Sequence, residues 1–142
     1  MTEAIRLEVS RRIAAPPERV FDAWLDPASV GRWLFATPDG VMEKVEVDPR
    51  VGGRFEIDER RGKDLAEHFG EYLEIDRPRR LVFSFAAMRD AGFTRVTITI
   101  VPEGDGSRLT LVHEMDPRWA DYEERTREGW TRILAGLARE VG

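Results

Sequence analysis

Between Val96 and Val141 the apolar spacing changes once, from every second residue to every third or fourth, and this change restricts the fold more than any other feature of the chain. Val96, Ile98 and Ile100 alternate with Thr97 and Thr99, Glu103-Gly104-Asp105-Gly106 supplies turn residues, and Leu109, Leu111 and His113 continue one parity. This predicts an antiparallel hairpin with one buried face. Trp119, Tyr122, Thr126, Trp130, Ile133, Leu137 and Val141 then step by three or four, with Glu123, Glu124, Arg127, Glu128 and Arg139 off that line. The pattern predicts one long amphipathic helix. A sheet with one apolar face must cover it, and the helix that follows is the nearest cover.

The upstream chain supplies more strands. Ile5, Leu7 and Val9 alternate with charged residues and Ile13 resumes the pattern, which predicts a half-buried first strand ended by Pro16-Pro17. Val20, Phe21, Trp24 and Leu25 recur at helical spacing up to Asp26-Pro27, and a second short helix is expected over Ala28 to Trp33. After the turn residues Thr37-Pro38-Asp39-Gly40, Val41, Val45 and Val47 share one parity and read as a strand, which Gly52-Gly53 turns back into Phe55 and Ile57. Strands over Glu67 to Asp76 and Arg80 to Ala87 are joined by Arg77-Pro78-Arg79. The order is a strand, two short helices, five or six antiparallel strands and a C-terminal helix, an α+β architecture in one expected domain over 1–142.

Composition removes several function classes. With 142 residues the chain suits one packed core rather than a modular enzyme. Its 22 basic and 27 acidic side chains leave a net charge of −5, the wrong sign for a nucleic-acid binder, which needs clustered cations. Cysteine is absent, so thiol nucleophiles, disulfides and thiolate metal sites are excluded. Met1 to Arg12 holds no apolar signal region, and the longest nearly apolar run, Leu81 to Met88, is too short to span a bilayer. A cytoplasmic location is the expectation.

Few residues offer chemistry. His113 shares the parity of Leu109 and Leu111 and is expected inside, where a neutral imidazole could serve a ligand or simply be a satisfied core group. His68 shares the parity of Gly70 and Tyr72, and the pattern leaves open whether that face is concave, with Gly70 leaving space between the two, or solvated. With two histidines, no His-x-x-x-His and no acidic triplet, neither a metal nor another cofactor is expected. Asp58-Glu59 and Glu123-Glu124 read as solvated faces. No serine stands in a Gly-x-Ser-x-Gly elbow and no phosphate-binding glycine loop is present, so no catalytic residue is assigned. Gly129, inside the last helix, is expected to mark close packing.

Five ordered segments resemble a known family: Val20-Phe21-Asp22-Ala23-Trp24-Leu25-Asp26-Pro27 with Arg32-Trp33; Val51-Gly52-Gly53-Arg54-Phe55; Pro78-Arg79-Arg80-Leu81-Val82-Phe83; Arg108-Leu109-Thr110-Leu111-Val112-His113-Glu114; and Gly129-Trp130. Together they look like the activator of heat-shock-protein-90 ATPase homologue-like proteins, within the START-related, birch-pollen-allergen-like superfamily (SRPBCC). The resemblance spans nearly the whole chain and implies a helix-grip fold, a curved antiparallel sheet around a long C-terminal helix with a cavity between. It implies binding of hydrophobic molecules, with polyketide cyclases among the superfamily members, and no inherited co-chaperone activity. The leading expectation is therefore a binder of a hydrophobic or aromatic small molecule, lined by Trp24, Trp33, Phe55, Phe83, Phe85, His113, Trp119, Tyr122, Thr126 and Trp130. The alternatives are a cyclase or dehydratase-like enzyme in which His113 or Tyr122 moves a proton, and a co-chaperone-like protein-interaction module. A homodimer is compatible with the sequence, which fixes no copy number.

Overall fold

The computed structural model describes residues 5–86 and 94–142, so the expected strand end at Ala87 lies outside the described residues. The chain forms β1 (Ile5–Ile13), α1 (Pro17–Ala23), α2 (Pro27–Trp33), β2 (Val41–Val47), β3 (Arg54–Arg61), β4 (Asp64–Asp76), β5 (Arg80–Phe85), β6 (Thr94–Glu103), β7 (Gly106–Met115), a 3₁₀ segment (Pro117–Tyr122) and α3 (Glu123–Val141). The seven strands make one antiparallel sheet in the order β1-β7-β6-β5-β4-β3-β2. This is the helix-grip architecture. No helix of the described residues is long and apolar enough to cross a membrane.

The short helices begin where proline and a cap allow. Pro17 and Pro27 sit at the starts of α1 and α2, where their missing N–H is no loss, and the Asp26 carboxylate accepts the Ala28 N–H at 3.1 Å. Both helices bury one face, through Val20 and Phe21 in α1 and Val30 and Trp33 in α2. α3 lies along β1 and against α1 and α2, whereas α2 also reaches β2 at the far edge of the sheet. The helices thus bridge the two sheet edges over the concave face. The core between them joins Leu7, Phe21, Trp24, Ile57, Leu81, Ile98, Leu109, Leu111, Leu134 and Leu137.

Two register shifts explain where strand parity misleads. In β2 the pairing steps from Met42↔Glu59 to Lys44↔Asp58, leaving Glu43 as an extra residue. Val41 is therefore 64% exposed while Met42, Val45 and Val47 pack on the core, which corrects the expectation that Val41 shares their face. In β4 a second shift falls between Tyr72 and Glu74, so Tyr72 and Ile75 both turn toward the core although their parities differ.

The C-terminal helix is also interrupted. Asp116 caps its start by accepting the Arg118 N–H at 2.9 Å, Pro117 follows, and the chain runs as a 3₁₀ turn with non-helical dihedrals at Trp119 before α3 begins. Three residues per turn instead of 3.6 shift the phase of the side chains, and the buried line of α3 is Trp130, Leu134, Leu137 and Val141. Outside its chain neighbours and the backbone of its own helix, Gly129 has no described atom within 4 Å of where a Cβ would sit, so the close packing expected there is not found.

Candidate functional site

The concave face is built of rings in two neighbouring groups, joined through Phe83 and Phe85, which lie two residues apart on β5. In the first, Trp24 meets Trp33 edge to face at 4.7 Å between centroids and Phe83 at 6.3 Å, and Phe55 contacts Phe83 at 5.4 Å and Tyr72 at 5.5 Å. In the second, Phe35 stacks on His68 at 4.2 Å and on Phe85 at 5.1 Å, and Trp130 approaches Phe35, Phe85 and His113 at 5.7 to 6.0 Å. Such stacked and edge-to-face geometry adds to the area the rings bury. Seven of the residues selected from the sequence are thereby brought together: Trp24, Trp33, Phe55, Phe83, Phe85, His113 and Trp130.

Tyr122 and Trp119 stand apart from them. Tyr122 is 45% exposed, Trp119 is half-buried, and the two rings contact each other at 5.6 Å, with Arg118 over the Trp119 ring and Arg125 over the Tyr122 ring. The 3₁₀ phase shift turns them away from the interior, a correction to the single-helix expectation. Thr126 is half-buried, one turn before Trp130.

His113 is buried, and a hydrogen-bond chain fixes it. The Trp130 indole Nε1–H donates to His113 Nδ1 at 3.0 Å, so the ring proton sits on Nε2 and donates to the Thr94 hydroxyl at 2.7 Å. Thr94 donates onward to the Phe85 carbonyl at 3.1 Å. Burial pushes the imidazole pKa down to about 4. A neutral ring with both nitrogens engaged has no lone pair free to take a substrate proton.

His68 resolves the face that the sequence left open. It is buried on the concave side with Tyr72, and Nδ1–H donates to the Ile57 carbonyl at 3.1 Å, which leaves Nε2 as an acceptor without a partner among the described residues. Burial holds its pKa down at about 4, against a raising effect of the carbonyl bond. Gly70, between the two, leaves no vacant space, because a Cβ there would collide with the Ser84 carbonyl of β5. Burial also pushes the Tyr72 phenol above its usual range, with the Asp48 charge acting in the same sense.

Asp58 and Glu59 are not a solvated pair. Glu59 is 1% exposed and continues the inward parity of Phe55 and Ile57. Its carboxylate accepts the Thr37 N–H at 2.8 Å, the Thr37 hydroxyl at 2.9 Å and Arg61 Nε–H at 2.7 Å, while Arg61 Nη2–H reaches the Phe35 carbonyl at 3.0 Å. Burial works to raise the Glu59 pKa, and the bonds from Arg61 and Thr37 outweigh it and hold the carboxyl below the usual range. This network anchors Phe35, a non-glycine residue with φ of 60°. Asp58 faces the other side of the sheet, where burial first, then Glu56 and Glu67, push its carboxyl up to about 6.

Sequence reasoning passed over Phe35 and Thr94 and assigned Glu59 to a solvated face. The signal for Glu59 was available in the Phe55-x-Ile57-x-Glu59 alternation; nothing local marks Phe35 or Thr94. Trp24 is 2% exposed and its indole Nε1–H has no hydrogen-bond partner among the described residues, in contrast to Trp33, whose Nε1–H donates to Ser29 Oγ at 3.1 Å. Three hollows of about 640, 460 and 430 Å³ are lined mainly by outward side chains, the first by Glu46, Arg54, Glu56, Phe69, Glu71 and Ser84 among others. Of the residues selected from the sequence, Phe55 alone borders any of these three.

A sequence model of the family described as Activator of Hsp90 ATPase homolog 1-like protein matches residues 14–142. Comparison with curated proteins gives no match. Among solved structures, protein CV1439 from Chromobacterium violaceum is 28% identical with a TM-score of 0.85 and 96% of each chain covered. An AHSA1-like protein from Aeromonas hydrophila is 25% identical with a TM-score of 0.83, covering 96% of this chain and 92% of that one. CalU16 from Micromonospora echinospora is 27% identical with a TM-score of 0.73, covering 98% of this chain and 77% of that one.

Proposed function

Because the chain belongs to the Activator of Hsp90 ATPase homolog 1-like family, within the SRPBCC superfamily, we propose that it binds a hydrophobic or aromatic small molecule between the sheet and α3. The observation that carries this reading is the orphaned Trp24 Nε1–H. A buried donor left without an acceptor costs about 1–3 kcal/mol, and a guest with a carbonyl or ether oxygen would remove that cost. The surrounding rings suit a planar or aliphatic body, and the few polar groups among them suit orientation of it. The residues assigned to such a guest are Trp24, Trp33, Phe55, Phe83, Phe85 and Trp130, with Phe35 and His68 added. His113 acts here as a fixed wall, which speaks for binding over the proton transfer a cyclase or dehydratase needs.

Native mass spectrometry and thermal shift with panels of fatty acids, flavonoids and polyketide-like aromatics test the reading. Expected is saturable binding of one guest per chain, with Trp24→Phe weakening acceptor-bearing guests at least tenfold and guests without an acceptor unchanged. If no panel member raises the melting temperature of the native chain, or Trp24→Phe treats both kinds of guest alike, the indole is an isolated packing defect and the binding role is lost.

A further inference from the structure

The outer face of the β3–β4 pair carries an arrangement unrelated to the ring-lined interior. Asp58 and Glu67 are direct cross-strand partners, and Glu56 lies two residues before Asp58 on the same face. One carboxylate oxygen from each of the three lies within 4.8 Å of the others. Like charges placed opposite one another weaken a strand pair, and a cation held between them would offset that effect. Asp58 is 5% exposed, yet its Oδ1 has no hydrogen-bond partner among the described residues. A carboxylate oxygen withdrawn from water without a donor is a costly group, and it sits among two further carboxylates.

We propose that Glu56, Asp58 and Glu67 form a binding site for a hard divalent cation, Ca²⁺ in preference to Mg²⁺. Oxygen ligands of Ca²⁺ stand at 2.3–2.6 Å, so two of them on opposite sides of one ion are about 4.8 Å apart, and the three oxygens are close enough together to reach a single ion. Mg²⁺ keeps most of its waters and is usually held by one or two carboxylates, so a set of three carboxylates suits Ca²⁺ better. With no nitrogen or sulfur ligand in the set, softer metals are disfavoured. Glu56 also borders the 640 Å³ outer hollow, which gives the ion an entry path and room for the waters that complete its shell.

Lys44 supplies an internal control. Its Nζ lies 3.3 Å from Glu56 and 3.8 Å from Glu46, with the side chain 43% exposed. The ammonium competes with a cation for Glu56, and removing it strengthens the site.

The experiment uses the full chain stripped with a chelator, titrated with CaCl₂ and MgCl₂ by calorimetry and thermal shift. Expected is one Ca²⁺ per chain with Kd on the order of 0.1–1 mM, an upward thermal shift that saturates, and weaker binding of Mg²⁺. Asp58→Asn weakens Ca²⁺ binding at least tenfold and raises the melting temperature of the metal-free chain, because one of three repelling charges is gone. Lys44→Gln tightens binding several-fold. Glu67→Gln repeats the Asp58 test, and the metal-free melting curve of each variant shows that it is folded. Absence of saturable Ca²⁺ binding up to 10-fold above the upper end of that Kd range in both the native chain and Lys44→Gln overturns the proposal. So does Ca²⁺ binding that Asp58→Asn and Glu67→Gln leave unchanged.

Discussion

His113 allows a quantitative test of how the interior is wired. Its pKa falls from about 6.5 in an unfolded chain to about 4 when buried, so the folded state favours the neutral ring. The stability this provides is fully present above pH 6.5 and is lost as the pH drops toward 4, where the unfolded chain takes up a proton that the folded chain resists. At pH 4.5 an unfolded imidazole is about 99% protonated and the buried one about a quarter, a difference of about 2.5 kcal/mol. Set against a total of about 5–15 kcal/mol for a domain, this is easily measured. Other groups titrate in the same window, so the useful quantity is the difference between the native chain and His113→Asn, which keeps an acceptor toward the Trp130 indole and removes the titration. Urea unfolding from pH 7.5 to 4.5 should show that difference shrinking by about 2.5 kcal/mol, with equal m-values. A difference that stays constant across this range would mean that the ring titrates alike in both states and is not withdrawn from water as the structure places it.

The same wiring sets opposite tautomers, proton on Nε2 in His113 and on Nδ1 in His68, and nitrogen chemical shifts of the two imidazoles at pH 7.5 should show the two patterns; a shared tautomer would contradict the assignment. Gly129→Ala should raise stability by about 1 kcal/mol, since the site is open and helical alanine is favoured, as measured by thermal or urea unfolding. Gly40→Ala should lower it by about 2–3 kcal/mol, because a Cβ at that position collides with the Glu59 carboxylate and disturbs the network on Thr37 and Arg61.

Much of the architecture was readable because each element is locally consistent. The Thr97/Thr99 alternation, the Gly104 turn and the Leu109/Leu111 parity correspond to β6 paired with β7, and the proline-led starts of α1 and α2 fall where expected. What escaped was set by single residues or by partners distant in sequence. Glu43 adds one residue to β2 and reverses Val41, and the 3₁₀ turn after Asp116 rotates Trp119 and Tyr122 outward. The acidic triplet has no local signature, because Glu67 meets Glu56 and Asp58 only through the β3–β4 register. Glu59 was hidden by habit of composition: two adjacent acids suggest solvent, although alternation on a strand must send one of them to each face.

The interior polar groups divide into closed and open ones, and that division is what a guest would encounter. At His113 every donor has an acceptor, from the Trp130 indole to the Phe85 carbonyl, so a guest meeting this group gains nothing by bonding to it. Glu59 is equally closed, saturated by Thr37 and Arg61, and its effect is indirect, through the Phe35 ring it helps to hold against His68. The open atoms are a donor, Trp24 Nε1, in the ring group with Trp33 and Phe83, and an acceptor, His68 Nε2, in the group with Phe35 and Phe85. A guest that bridges both groups therefore gains most if it carries an acceptor at one end and a donor at the other, with an apolar body between, such as a hydroxylated aromatic ketone. A purely hydrocarbon guest would leave the buried Trp24 Nε1–H unsatisfied and forfeit about 1–3 kcal/mol there, enough to rank the two kinds of ligand by about tenfold in affinity.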